Sequence, residues 1–140
     1  MTTTQRVTLL LALILVGLAV LLMPLQLQAG DAHVINLHPK GPVPQTLSIS
    51  VGSAVIWVSH LAPTNLVVTT VAFSEGQVVA QGSTPVDGYN GFITEGEHFV
   101  GRMPGNGGKV ALRFVAPGVY TYIVDHQGQM TGTIVVRRNE

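Results

Sequence analysis

His126 and Met130 stand four residues apart in "VDHQGQMTG", and His60 stands in "VSHLAPTN". Imidazole is a borderline ligand and thioether a soft one. Two imidazoles with one or two thioethers therefore suit copper, Cu(I) in particular. His98 and Met103 are further candidates for such a set. Each residue also has a plainer use. Met130 can plug a gap in a core, His126 can bond its own loop or face water, and His60 and His98 can be surface loop residues. Asp125 either orients the His126 ring as an acceptor or serves as a turn carboxylate. The chain contains no Cys, which removes disulfides, iron–sulfur clusters and every thiolate metal site.

Other chemistry is thinly represented. There is no Gly-x-Ser-x-Gly elbow and no His-Glu-x-x-His, and Glu95 and Glu97 have no evident partner. "GNGGK" at 105–109 has the wrong glycine spacing for a phosphate loop and reads as a turn. The expectation is a protein that is not an enzyme. His33 would become an amine–imidazole chelate only if processing cut the chain just before it.

The elements that must position these residues read as strands. "QTLSISV" alternates Leu47, Ile49 and Val51 with Thr46, Ser48 and Ser50, the pattern of a half-buried strand. "AVIWVS" (Ala54–Ser59) follows a "VGS" turn, so 45–59 reads as a hairpin. "HVINL" (His33–Leu37), "NLVVTTV" (Asn65–Val71), "QVVAQ" (Gln77–Gln81), "KVALRFV" (Lys109–Val115), "VYTYIV" (Val119–Val124) and "TGTIVV" (Thr131–Val136) complete the expected strands. The stretch Gly82–Gly108, rich in Gly and polar residues, reads as a long loop with a short strand around Tyr89–Thr94. With 16 Gly and 8 Pro to break the strands, the spacing predicts an all-β sandwich.

The whole chain, 140 residues with formal net charge zero, allows one domain and offers no basic field for a nucleic acid. Its start differs in kind. Arg6, the uncharged run Leu9–Met23, Pro24 and the small residues Ala29, Gly30 and Ala32 are the parts of a secretory signal. The run from Val7 to Met23 also approaches the ~20 residues that span a bilayer, so an uncleaved anchor is the rival reading. Residues 1–29 are thus expected to be a signal peptide or membrane anchor, and 30–140 the folded domain. A periplasmic or otherwise extracytoplasmic location follows, with a protein of the periplasm or membrane as the expected kind of partner.

"LSISVGSAVIWVS", "FVAPGVYTYIVDH" and "HQGQMTGTIVV" together resemble the cupredoxins, the family of plastocyanin and azurin. The resemblance implies a Greek-key β-sandwich, preceded here by the N-terminal hydrophobic segment; an immunoglobulin-like sandwich is the competing fold. It also implies a ligand set: His from the loop after the Trp strand, then Cys, His and usually Met from the last loop. Carried over, the first His falls on Asn65, with His60 five residues earlier. The Cys falls on Val124, the second His near His126, and the Met on Met130. A blue-copper centre is excluded, since no thiolate exists to make it. "PGVYTYIVDH" is also similar to the second domain of copper nitrite reductases, which lacks a type-1 site but gives a His to a copper shared between subunits. Two functions are therefore expected to compete. One is copper binding or handling through His126, Met130 and His60. The other is a metal-free interaction domain that presents the 82–108 loop to a partner.

Overall fold

The computed structural model describes residues 30–61, 68–104, 106–126 and 128–139. The expected signal or anchor segment, and Asn65, lie outside the described residues. The strands are β1 (Ala32–His38), β2 (Gly41–Val43), β3 (Thr46–Ser50), β4 (Ala54–Ser59), β5 (Val68–Phe73), β6 (Ser83–Pro85), β7 (Phe92–Glu95), β8 (His98–Pro104), β9 (Lys109–Phe114), β10 (Gly118–Asp125) and β11 (Gln129–Arg137). A short helix, α1 (Gly76–Gln81), follows β5. Two sheets form, in the orders β2-β1-β4-β9-β6 and β3-β11-β10-β5-β8-β7. The all-β sandwich is as expected, and β4 keeps the expected bounds.

Alternation of side chains drives the packing. In β10, Tyr120, Tyr122 and Val124 turn inward, and in β11 Ile134 and Val136 do the same. They meet Ile35, Leu37, Val55, Trp57 and Leu112 from the other sheet in one continuous core. Trp57 sits at its centre, with Tyr122 at 5.5 Å and Phe73 at 6.0 Å, both edge to face. Burial of each such side chain stabilises the fold by about 1.5–3 kcal/mol.

Three expectations are corrected. Residues 45–59 are not a hairpin: β3 pairs in parallel with β11, and β4 pairs in parallel with β1 in the other sheet. Gly52, at φ +92°, turns the chain across the sandwich between them. Alternation identifies each strand but not the sheet it joins. Gln77–Gln81 is helical rather than a strand. It buries Val79 and leaves Val78 exposed, and five apolar-rich residues are too few for periodicity to separate the two states. Gly82–Gly108 is not one loop. It contains β6, β7 and β8, and β8 lies between β5 and β7 with Phe99, Val100, Gly101 and Met103 buried. What 82–108 could offer a partner is therefore strands and turns, not a free loop.

Strand directions fix which residues share an end. His38 closes β1, Ser59 closes β4, Pro104 closes β8 and Asp125 closes β10, while β5 and β11 begin there. This upper end therefore carries His38, His60, His126 and Met130, with Met103 just inside. His98 begins β8 and His33 is the second residue of β1, so both lie at the other end. Among the described residues no helix is long and apolar enough to cross a membrane.

Candidate functional site

The last hairpin is tight. β10 and β11 stay paired to Val124↔Met130 and Asp125↔Gln129, and beyond that pair His126 N–H donates to Gly128 O at 3.1 Å. Directly paired antiparallel residues share a face. Val124 is fully buried, and Met130 is half-buried against the same core. The position to which the resemblance assigns a thiolate is therefore filled by a packed aliphatic side chain. The residues present do not fit a type-1 copper centre.

His126 is half-buried, and its Nδ1 lies 2.9 Å from Thr69 Oγ1. Thr69 faces inward by the period of two that also buries Val71 and Phe73 on β5. Its hydroxyl in turn lies 3.4 Å from Ser59 Oγ on β4, which accepts Leu61 N–H at 3.4 Å. Both hydroxyl residues are wholly buried, and buried polar groups persist where they are bonded. The result is a polar chain, Ser59–Thr69–His126, that crosses from one sheet to the other beneath the upper loops. Sequence reasoning missed Ser59 and Thr69. The available signal was a hydroxyl at an inward position of two otherwise apolar strands.

His60 is exposed and engaged elsewhere. Its Nε2 lies 2.8 Å from Asn36 Oδ1, and its ring stacks on His38 with centroids 4.9 Å apart and planes 9° apart. His38 and Met130 both line a groove of about 680 Å³ between the β1–β2 turn and the start of β11, together with Lys40, Pro42, Gln45 and Gln129. Met103 is a core residue, 1% exposed. His98 is exposed at the lower end, where β7 turns into β8. Topology thus gathers His60, His126 and Met130 at one end, while hydrogen bonding ties the two imidazoles to different partners. Among the described residues no group of three or more His, Cys, Asp or Glu is placed to hold a metal ion.

Two β-sheets closed by this hairpin form a sandwich of the cupredoxin type. No family model and no curated protein matches the chain. Solved structures do, amicyanins among them. The amicyanin of Paracoccus versutus (Thiobacillus versutus) superposes with a TM-score of 0.52 at 23% identity, over 76% of this chain and 82% of that one. A reduced Cu(I) form of an amicyanin variant at pH 4 gives 0.51 at 22%, over the same shares. A second Cu(I) variant gives 0.51 at 22%, over 80% of this chain and 87% of that one. These likenesses establish the cupredoxin fold.

Proposed function

We propose that the protein is an exported copper-handling module on a cupredoxin scaffold without a type-1 centre, taking Cu(I) through His126 and Met130, with His60 as third donor. The observation that carries this reading is the bond from His126 Nδ1 to a buried threonine. A metal-binding imidazole donates its other ring N–H to a fixed acceptor, which sets tautomer and orientation. If His126 Nδ1–H donates to Thr69, the Thr69 hydroxyl donates to Ser59, and Nε2 keeps its lone pair free for a metal. Met130 supplies a soft donor from the facing strand. Binding rather than catalysis is the role proposed, in the periplasm or at the outer face of a membrane.

Competition titration with Cu(I) tests the reading. His126→Ala is expected to remove most binding, and Met130→Leu to weaken Cu(I) more than Cu(II), since volume is kept and only the soft donor lost. The copper-loaded protein should lack the intense band near ~600 nm of a Cu(II)–thiolate bond. Equal, weak affinity in wild type and both variants would leave a metal-free interaction domain. N-terminal sequencing of native protein tests export: a start at or just after Gly30 supports it.

A further inference from the structure

The stacked pair His38–His60 lies outside the His126 hairpin. His38 is the last residue of β1, and His60 follows β4, the parallel neighbour of β1. Parallel pairing brings the two strand ends to one level, and His60 N–H donates to Leu37 O at 2.9 Å, which holds the two residues side by side. Both side chains are exposed.

Asn36 gives this pair a direction. An amide oxygen only accepts, so the His60 Nε2 at 2.8 Å from Asn36 Oδ1 carries the proton, and the Nδ1 lone pair remains free. With a metal–nitrogen bond of about 2.0 Å, an ion lies about 3.2 Å from the centroid of each imidazole that binds it. Centroids 4.9 Å apart then subtend an angle of roughly 100° at a shared ion, within the range of tetrahedral and square-planar geometry. The ion must lie in the plane of both rings, whereas the planes here are nearly parallel. One ring has to turn. The His38 side chain has no hydrogen-bond partner among the described residues and is exposed, so rotation about its Cα–Cβ and Cβ–Cγ bonds is the inexpensive movement.

We infer that His38 and His60 form a surface site for a borderline divalent metal ion, Cu(II) above Zn(II), with Asn36 as the residue that positions His60. The order follows from two imidazole nitrogens and no thiolate. This site does not include the His126–Met130 pair, and His60 serves either this Cu(II) site or the Cu(I) site proposed above, not both at once.

The experiment uses the full-length, tag-free protein and Cu(II) alone as probe, in wild type and in a His126→Ala, Met130→Leu background. Imidazole NMR spectra are recorded during substoichiometric addition, with affinities from competition titration. The His38 and His60 signals should broaden together and first, in both backgrounds. His38→Gln and His60→Gln should each weaken Cu(II) at least about tenfold, since loss of a mere orienting partner already costs 10–100-fold. Asn36→Leu should weaken it by about tenfold, and Asn36→Asp, which keeps the acceptor, should not. Unchanged affinity in both glutamine variants, or first broadening at His33 or His98, would overturn the site. Loss of binding only in the His126→Ala, Met130→Leu background would overturn it too, while leaving the hairpin reading intact.

Discussion

Tyr122→Phe tests the least satisfied part of the core. Tyr122 is wholly buried, and among the described residues neither its hydroxyl nor the neighbouring Trp57 Nε1 meets a partner in good hydrogen-bond geometry. Burial pushes the phenol up to about 12 from 10, with the nearby indole opposing the effect in part. Removing a buried, unbonded hydroxyl relieves a desolvation cost, so the variant should be about 1 kcal/mol more stable at neutral pH. A larger difference appears in alkali. A group whose pKa is raised by folding contributes stability that is complete below the unfolded value. That stability is lost as pH rises from the unfolded value through the folded one. For Tyr122 the window runs from 10 to about 12. At about 1.4 kcal/mol per tenfold change in proton affinity, wild type loses roughly 1.4 kcal/mol by pH 11 and up to about 3 kcal/mol beyond pH 12, none of which the phenylalanine variant loses.

Urea unfolding of both proteins at matched pH steps measures the gap, and phenolate absorbance of the folded protein locates the titration. Tyr120, also raised by burial, is common to both and cancels in the difference. A gap that stays flat from neutral pH to pH 11, or a variant less stable than wild type, would refute the reasoning by showing that the hydroxyl is bonded or wet.

Three further outcomes are expected. Gly132 faces Tyr122 across the last hairpin, and a Cβ there would run into the Tyr122 hydroxyl and ring, so Gly132→Ala should lower stability by roughly 1–3 kcal/mol in thermal unfolding; a variant of wild-type stability would contradict the packing. Glu95 is held below the usual carboxylate range by its hydrogen bonds to Arg102, both at 2.6 Å. Its contribution is therefore present above that range and lost as pH falls through the folded value, and the small deficit of Glu95→Gln in melting temperature should vanish in acid and in high salt. Thr69→Val removes the hydroxyl that meets His126 and Ser59, and should cost about 1–2 kcal/mol of stability. It should also weaken Cu(I) about tenfold or more, whereas Thr69→Ser retains both properties.

Much of the scaffold was legible because the core strands are written in alternation. β3, β4, β10 and β11 could each be located from inward apolar residues alone, and the absence of Cys decided the type-1 question before any geometry. The errors have physical causes. β8 looked like loop because of Gly101 and Pro104, yet Gly101 answers a packing need: a Cβ there would meet the Phe92 ring at 2.7 Å. Pro104 is tolerated because it ends the strand. The Ser59–Thr69 bond was hidden for a different reason. It joins strands of opposite sheets, and strand periodicity carries no information about which inward residues meet across a sandwich. The His38–His60 stack depends likewise on the parallel pairing of β1 with β4.

The arrangement at the upper end separates holding the fold together from the copper binding proposed for His126. Ser59 and Thr69 are buried between the sheets and would each cost about 1–3 kcal/mol if left unbonded. They meet each other, and Ser59 also accepts Leu61 N–H, so both keep a partner when His126 is absent. His126 is only half-buried and adds a bond to a pair already satisfied. Its removal should therefore leave the sandwich intact while releasing whatever Nε2 binds. Thr69 is different, since its loss disturbs both. A fold that needed His126 for stability would lose its melting temperature in His126→Ala. A fold that keeps His126 as a ligand would lose only copper. His126→Ala and Thr69→Val, read side by side by thermal unfolding and Cu(I) titration, tell a structural histidine from a functional one.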